Sequence, residues 1–149
     1  MDLDKIMYII RMNSRDHSRT PMQWNGLPGA VFTEGEPWLS LNSNYKWLNV
    51  EEQQNDSSSI LSFYKKMISL RKEMDVLVYG IYELEESDCP SVYAYTRKDE
   101  EETILIISNL SAEPCIWSPP KKGELLLANY EKSDKAELRP YEARVYRLA

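Results

Sequence analysis

The sequence predicts a mainly β protein, in which an antiparallel β-sandwich follows a long irregular loop and a single helix. Three observations predict this order. Proline, glycine and asparagine are frequent between Asn13 and Asn49. Apolar residues then recur at three- and four-residue steps between Ser57 and Glu73, which is the period of a helix. From Val76 to Leu148, short segments rich in Val, Ile, Tyr and Leu alternate with charged or proline-containing turns, as is typical of antiparallel strands.

Two shifts in composition, near Asn55 and near Asp75, divide the chain. We place the domain boundary at the second shift, so that residues 1–74 form the first part and residues 75–149 form a C-terminal antiparallel β domain. The hydrophobic content of 42% and the aromatic content of 11% exclude a disordered acidic tail.

The charge and the apolar runs limit the kinds of partner. With 18 basic and 24 acidic side chains the formal net charge is −6, and no basic cluster is denser than Lys121-Lys122. Affinity for nucleic acids comes largely from basic patches that release counterions, so we expect no nucleic-acid partner. Apolar runs such as Ile104–Ile107 are far shorter than the roughly 20 residues of a membrane span. We therefore expect no membrane partner and a cytoplasmic location.

The segment Asn13–Asn49 is interpreted as a long structured loop. It carries three prolines and three glycines, yet it also holds large apolar side chains: Trp24, Phe32, Trp38, Leu41, Tyr45 and Trp47. Long irregular connections usually belong to functional sites, and side chains of this size need a surface to bury against. The segment therefore looks like a loop whose partner surface lies elsewhere.

The predicted helix spans Ser57–Glu73, and Ser57 or Ser58 can cap its N-terminus. We expect one packed apolar side on this helix, formed by Ile60, Leu61, Tyr64, Met67 and Ile68. Six strands are predicted after it, near Val76–Leu84, Ser91–Arg97, Thr103–Asn109, Cys115–Ser118, Glu124–Ala128 and Ala143–Leu148. Lys98–Glu101 is predicted to form the hairpin turn between the second and third of them.

Few residues are suited to catalysis. His17 is the only histidine and no glycine-rich phosphate loop is present, so we expect no cofactor and no metal. Cys89 and Cys115 are too few for a disulfide scaffold, and we interpret them as two small half-buried thiols. Acidic neighbours such as Glu85-Glu86 are more typical of solvated charges than of a general acid with its base.

The densest polar cluster is Ser14–Trp24, where two guanidiniums, a carboxylate and an imidazole precede a proline and a tryptophan. Arginine offers a rigid fork of donors that can hold a carboxylate or sugar hydroxyls in fixed geometry. A structural knot of salt bridges in a loop accounts for the same residues equally well. Composition alone leaves both interpretations open.

The run SRDHSRTPMQW at Ser14–Trp24 closely resembles a segment of the oligo-1,6-glucosidase and α-glucosidase branch of glycoside hydrolase family thirteen. Further segments resemble the same family in the same order: Phe32–Trp38, Asn44-Tyr45, Leu48–Val50, Tyr64–Lys72, Val78–Gly80, Val92–Arg97 and Leu138–Ala143. The resemblance covers nearly the whole chain.

This resemblance implies the C-terminal part of a larger enzyme. Enzymes of the family have a (β/α)8 barrel followed by an antiparallel β domain, and residues 1–74 resemble the loop after the eighth strand and the last barrel helix. The family's nucleophilic Asp, acid/base Glu and third Asp precede this segment. The resemblance therefore assigns no catalytic residue to this chain and implies that it is inactive alone, whereas the whole enzyme hydrolyses α-glucosidic bonds in short oligosaccharides.

Carried over residue by residue, Arg19 matches the arginine that reaches the glucose at the non-reducing end of the substrate. Arg15 and Asp16 match neighbouring motif positions that shape the loop. Two departures leave the preferred glucoside open: Asn25 stands where relatives usually have Asp, and Pro28–Phe32 stands where they have an Asn-Ala-Gly-Phe run.

Other interpretations remain beside this one, and the least favoured is the non-catalytic ectodomain that partners an amino-acid transporter, which shares the fold by resemblance. Trehalose-6-phosphate hydrolases resemble the motif almost as well, and sucrose isomerases somewhat less. A different class is a non-catalytic carbohydrate-binding or assembly module, which needs exposed coplanar aromatics and would not fit if Tyr93, Tyr95 and Tyr146 were buried. Without a barrel, the tryptophans of the loop also lose their partners, so we expect a homo-oligomer formed through this surface.

Overall fold

A computed structural model describes residues 2–117, 123–131 and 136–148, with the exception of the side chain of His17. Its contacts divide the chain into two compact units, Met1–Ser62 and Phe63–Ala149. The boundary predicted between residues 74 and 75 rests on composition and stays a prediction.

The first unit contains two helices, α1 (Leu3–Asn13) and α2 (Val50–Asn55). Between them the chain is irregular, as predicted, and is interrupted by three short 3-10 turns, Asp16–Ser18, Pro28–Val31 and Ser43–Lys46. Helix α1 was not among the predicted elements. Asp2 caps this helix, because its carboxylate accepts a hydrogen bond from the backbone N–H of Asp4 at 3.2 Å.

Helix α3 (Ile60–Glu73) confirms the predicted helix, although it begins at Ile60 rather than at Ser57. The cap is Ser59, not Ser57 or Ser58: its hydroxyl accepts from the N–H of Ser62 at 3.1 Å and donates to the carbonyl of Gln53 at 2.6 Å. The side-chain oxygen of Gln53 also accepts from the N–H of Leu61 at 3.1 Å. The end of α2 therefore satisfies the free donors at the start of α3.

The prediction that the apolar side of this helix is packed is wrong. Ile60, Tyr64 and Ile68 are exposed, and no residue of α3 is fully buried. Contact with the core begins only at the C-terminal end, where Leu70 and the following Met74 pack against Ile104. The apolar period of α3 identified a helix, but no residue within the described ranges covers its whole apolar face.

The second unit is built on two antiparallel sheets. After a helical turn, α4 (Val76–Tyr79), the described part of the unit has seven strands: β1 (Ile81–Glu85), β2 (Val92–Lys98), β3 (Thr103–Asn109), β4 (Cys115–Ile116), β5 (Gly123–Ala128), β6 (Glu137–Leu138) and β7 (Ala143–Leu148). The larger sheet has the order β1-β2-β3-β7-β5, and β4 pairs with β6 in a second sheet of two strands.

The first predicted strand is only half correct. Val76–Tyr79 is a helical turn, closed by a hydrogen bond from the N–H of Gly80 to the carbonyl of Val76 at 3.0 Å. A Cβ at Gly80 would lie 2.5 Å from that carbonyl oxygen, so the chain needs glycine at this point. The predicted strand Cys115–Ser118 corresponds to the short β4, and Ser118 lies outside the described residues.

Alternation along the strands sends side chains to two faces of the large sheet. On one face the buried residues pack with the second sheet: Ala94, Leu105, Ile107 and Tyr146 contact Trp117 and Leu138. On the other face, Ile104 packs with Met74 and Val76. This arrangement confirms the predicted antiparallel β-sandwich.

The predicted hairpin between β2 and β3 is also confirmed. Lys98 pairs with Thr103, and the N–H of Asp99 donates to the carbonyl of Glu102 at 3.1 Å. The carboxylate of Asp99 accepts from the N–H groups of Glu101 and Glu102, at 2.9 Å each. An acidic side chain thus closes the turn by binding its own backbone.

The two cysteines are half-buried, as predicted, but the interpretation as free thiols is wrong. Cys89 and Cys115 form a disulfide with a Cα–Cα distance of 6.8 Å, across a sequence separation of 26 residues. Cys89 lies between β1 and β2 of the large sheet, and Cys115 lies in the small sheet. Packing of one sheet on the other brings them together, and sequence spacing cannot predict such a contact.

Candidate functional site

Arg19 is the main candidate for a substrate-binding residue. It follows the 3-10 turn Asp16–Ser18. Helix α1 ends just before this turn, where the N–H of Ser14 donates to the carbonyl of Ile10 at 2.8 Å. The N–H of Arg19 donates to the carbonyl of Asp16 at 3.0 Å, and the hydroxyl of Ser18 donates to the carbonyl of Arg15 at 3.0 Å. These hydrogen bonds close the turn on itself.

The three predicted site residues, Arg15, Asp16 and Arg19, are brought together on this one turn, and all three are exposed. In the part of the chain that the structure describes, the side chains of these three residues take part in no ion pair and no hydrogen bond. A knot of salt bridges among these residues is thus not formed. Two guanidiniums and a carboxylate point their hydrogen-bonding groups to solvent, where a polar ligand can reach them.

The chain is held firmly directly after Arg19. Pro21 is buried, and the carbonyls of Gln23 and Trp24 accept hydrogen bonds from the N–H groups of Val50 and Glu51, at 2.9 and 3.0 Å. These donors belong to the first turn of α2, where N–H groups have no partner within the helix. The arginine turn is therefore attached to the N-terminus of a helix.

Asn49 contributes to this attachment and was not singled out by the sequence analysis. It is 4% exposed, its side-chain nitrogen donates to the carbonyl of Tyr45 at 2.8 Å, and its side-chain oxygen accepts from the N–H of Glu52 at 3.0 Å. An asparagine followed three positions later by glutamate is a signal for a helix start, and this signal at Asn49 predicts the start of α2.

An open groove of about 420 Å³ runs beside this segment. Its wall includes Pro21, Met22, Leu48, Val50 and Ile60. The lining is largely apolar, so the groove supplies surface for packing but little acid–base chemistry.

A pair of catalytic carboxylates is not evident in the described ranges. Glu142 is the one buried carboxylate there, and it is engaged by Arg139 and Arg144. A carboxylate neutralised by two guanidiniums is a structural group rather than a general acid or a nucleophile. Within the same ranges no group of three or more His, Cys, Asp or Glu is arranged to hold a metal ion.

Aromatic side chains also line the face of the large sheet that carries Ile104. Tyr82, Tyr93 and Tyr95 form a contiguous group, with ring centroids 5.2 Å apart for Tyr82 and Tyr95 and 5.5 Å apart for Tyr93 and Tyr95. The rings are tilted by 35° and 46°, so they do not form a flat platform. Tyr146, in contrast, is buried in the core of the opposite face.

With the fold and the turn described, comparison with known proteins identifies the class. The family model for the alpha amylase catalytic domain matches residues 1–80, and the family model for the maltogenic amylase C-terminal domain matches residues 82–145. The chain therefore belongs to the alpha-amylase family of glycoside hydrolases, and its β-sandwich is the C-terminal domain of that family.

Individual relatives narrow the group. The chain is 42% identical to an oligo-1,6-glucosidase of Bacillus cereus over 99% of its own length and 28% of that protein. It resembles the crystal structure of a trehalose-6-phosphate hydrolase of Bacillus licheniformis, with a TM-score of 0.86, 37% identity, and coverage of 97% of this chain and 28% of that one. It also resembles an isomaltulose synthase of Klebsiella, with a TM-score of 0.90, 34% identity, and coverage of 100% and 28%. The chain thus spans little more than a quarter of the length of these proteins.

No helix among the described residues has the length and apolar character needed to cross a membrane.

Proposed function

We propose that this chain serves as the C-terminal part of an α-glucosidase of the oligo-1,6-glucosidase type, which hydrolyses α-glucosidic bonds in short oligosaccharides. The observation that carries this proposal is the 42% identity to the Bacillus cereus oligo-1,6-glucosidase across 99% of the chain. Identity to the trehalose-6-phosphate hydrolase is lower, at 37%. The β-sandwich would cover the side of the barrel, and the arginine turn would complete the sugar pocket.

Within that pocket, Arg19 is the substrate-binding residue, and Arg15 and Asp16 shape the turn that presents it. The support is geometric: the guanidinium of Arg19 is exposed and engages no described residue, while the backbone on both sides of it is held by hydrogen bonds. A rigid fork of donors on a fixed turn is suited to binding the hydroxyls of a terminal glucose.

The chain alone is expected to be inactive. Retaining glycosidases need two carboxyl groups about 5 Å apart across the bond that is cleaved, and the buried carboxylate of this chain is bound by arginines. We would test the purified chain on p-nitrophenyl α-D-glucoside and isomaltose beside the full-length Bacillus cereus enzyme. Turnover above the blank would show that carboxylates of this chain do the chemistry and would refute the proposal.

A chimera tests the proposal directly. The matching C-terminal part of the Bacillus cereus enzyme is replaced by this chain, and kcat/KM is measured on isomaltose. We expect an active chimera, and an Arg19→Met chimera whose kcat/KM is lower by at least about tenfold, because a lost hydrogen bond with a charged donor costs about 1.5–3 kcal/mol.

The matched control is Arg147→Met, which removes an exposed guanidinium from a sheet and should leave kcat/KM unchanged. If the Arg19→Met chimera is as active as this control, Arg19 does not bind the substrate.

A trehalose-6-phosphate hydrolase is the second candidate, supported by the TM-score of 0.86. Fusing the chain to the barrel of that enzyme as well allows a comparison. The proposal expects the fusion to the oligo-1,6-glucosidase barrel to retain the larger fraction of its parent's activity and melting temperature, and the reverse order would favour the second candidate.

A non-catalytic carbohydrate-binding module is less well supported, because the rings of Tyr82, Tyr93 and Tyr95 are tilted rather than coplanar. Titration calorimetry of the purified chain with maltooligosaccharides should give no heat of binding. A saturable heat that the Tyr93→Ala variant abolishes would restore this candidate.

Self-association and cellular location complete the proposal. Trp38 and Trp47 are 89% and 68% exposed, and aromatic surface of this kind favours association. We expect light scattering to give a dimer or larger species, and a strict monomer would refute this part.

A cytoplasmic location also belongs to the proposal, and cell fractionation tests it.

A further inference from the structure

Asn25 precedes Gly26, and this is the single Asn-Gly pair in the sequence. The pair lies in the loop that follows the arginine turn, between Trp24 and the 3-10 turn Pro28–Val31. Gly26 is exposed and Asn25 is half-buried, so water reaches the peptide bond between them.

The conformation of the loop prepares a reaction between the two residues. The side-chain oxygen of Asn25 accepts a hydrogen bond from the N–H of Leu27 at 3.0 Å. This contact closes an Asx turn, so the carboxamide of Asn25 is folded back along its own backbone rather than turned away from it. Within the described ranges, the N–H of Gly26 makes no backbone or side-chain hydrogen bond and is available to react.

We propose that Asn25 is a site of spontaneous deamidation, in which water is the only co-reactant. The nitrogen of Gly26 gives its proton to solvent and forms a bond to the side-chain carbon Cγ of Asn25. The negative charge that develops on Oδ1 is stabilised by the N–H of Leu27, as in an oxyanion hole. The bond from Cγ to the amide nitrogen breaks, ammonia leaves with a proton from solvent, and a cyclic imide remains.

Hydrolysis of the cyclic imide completes the reaction. One water adds to either of its two carbonyl carbons and yields aspartate or isoaspartate, so one water is consumed and one ammonia is released. Glycine at position 26 favours ring closure because it has no Cβ to hinder the approach of its nitrogen.

The two products affect the loop differently. A carboxylate at position 25 can still accept from Leu27, and a charged acceptor strengthens that bond. Isoaspartate adds a carbon atom to the main chain, directly after Trp24, whose N–H donates to the carbonyl of Ala30 at 3.1 Å. The isoaspartate product therefore loosens the loop beside Arg19, whether or not the proposed function holds.

An internal control is present in the same loop. The side-chain oxygen of Asn42 likewise accepts from the N–H two residues ahead, that of Asn44 at 3.3 Å, but Asn42 is followed by serine. Trypsin releases both asparagines on one peptide, because no Lys or Arg lies between Thr20 and Lys46. Their deamidation rates can therefore be compared within a single mass-spectrometric measurement.

The test incubates the purified chain at neutral and at mildly alkaline pH and follows this peptide by tandem mass spectrometry. We expect deamidation at Asn25 to be at least about tenfold faster than at Asn42, to accelerate with pH, and to yield both aspartate and isoaspartate; tenfold corresponds to a difference of about 1.4 kcal/mol in the barrier. The Gly26→Ala variant should slow it, although the added Cβ would lie 3.2 Å from the carbonyl oxygen of Lys46. Equal rates at Asn25 and Asn42 in the unaltered chain, or a product without isoaspartate, would overturn the proposal.

Discussion

Glu142 and Arg144 form an ion pair in the interior of the β-sandwich. Nε of Arg144 lies 2.9 Å from Oε1 of Glu142, and the two side chains are 3% and 0% exposed. The other carboxylate oxygen accepts from the backbone N–H of Arg139 at 2.8 Å and from its Nε at 3.1 Å. Burial by itself would lower the pKa of Arg144, but hydrogen bonds to Glu142 and Tyr146 outweigh it and raise the pKa.

Removing the carboxylate from this pair should be strongly destabilising. Glu142→Gln keeps the size of the side chain but leaves the guanidinium of Arg144 buried without its counter-charge. We expect the free energy of unfolding, measured by urea denaturation, to fall by about 3–5 kcal/mol. The control is Arg147→Met, which breaks ion pairs with Glu102 and Glu124 that are open to solvent and should cost less than about 1 kcal/mol. Similar losses for the two variants would contradict the role given to burial.

Val31→Gly should stabilise the chain. Val31 has a φ of 56°, in the left-handed region, where its branched side chain is strained and gains little from burial because it is exposed. Relief of about 1–2 kcal/mol of strain exceeds the roughly 0.5–1 kcal/mol of extra entropy that glycine loses on folding, so we expect a net gain of up to about 1 kcal/mol.

The opposite substitution two positions earlier serves as its control. Gly29 has a φ of 72° and open space around it, so Gly29→Ala should lower stability through backbone strain alone. Thermal or urea unfolding of both variants measures the difference, and a loss of stability in Val31→Gly would show that its backbone is not strained.

Reduction of the disulfide between Cys89 and Cys115 should lower the free energy of unfolding by about 3 kcal/mol. The two cysteines are 26 residues apart, and without the bond this segment of the unfolded chain gains conformational entropy. Differential alkylation with and without a reductant measures the bond, and unfolding with and without reductant measures its effect. The Cys89→Ser and Cys115→Ser variants should equal the reduced chain and no longer respond to reductant. A reducing cytosol opposes disulfides. If Cys89 and Cys115 are found as free thiols in protein taken rapidly from cells, this result would agree with the proposed cytoplasmic location but would contradict the disulfide between them.

Tyr82 should ionise at a higher pH than an ordinary tyrosine. Its hydroxyl is 3.0 Å from the hydroxyl of Tyr93, and this hydrogen bond, followed by desolvation, raises the pKa of Tyr82. Because the folded-state pKa is raised, the stabilisation is fully present below the ordinary tyrosine pKa of about 10 and is lost as the pH rises through the raised value.

Tyrosinate absorbance measures this ionisation. In Tyr93→Phe the pKa of Tyr82 should return toward its ordinary value, whereas Tyr79→Phe, which removes a well-exposed hydroxyl, should leave it in place. An unchanged titration in Tyr93→Phe would exclude the hydrogen bond as the cause.

The candidate site was predictable to the extent that it is contiguous in sequence. Arg15, Asp16 and Arg19 lie within one turn. Their residue types left a polar-ligand site and a knot of salt bridges equally open, and the family resemblance favoured the ligand site. The groups that hold the turn in place could not be predicted from local sequence. The carbonyls of Gln23 and Trp24 accept from N–H groups that lie far along the chain, at Val50 and Glu51. Nothing local in either segment specifies that they meet.

The sequence by itself determined the presence and approximate position of α3 and of most strands, but not of α1, α2 or the helical turn α4. Strands β3 (Thr103–Asn109) and β7 (Ala143–Leu148), the hairpin at Asp99 and the existence of α3 follow from local periodicity and turn chemistry, which act over a few residues. Only the tertiary structure decided that Cys89 meets Cys115, that Glu142 is buried with Arg144, and that the apolar face of α3 is left exposed. These outcomes depend on which surfaces pack across the sandwich, and periodicity shows that a face is apolar without showing what covers it.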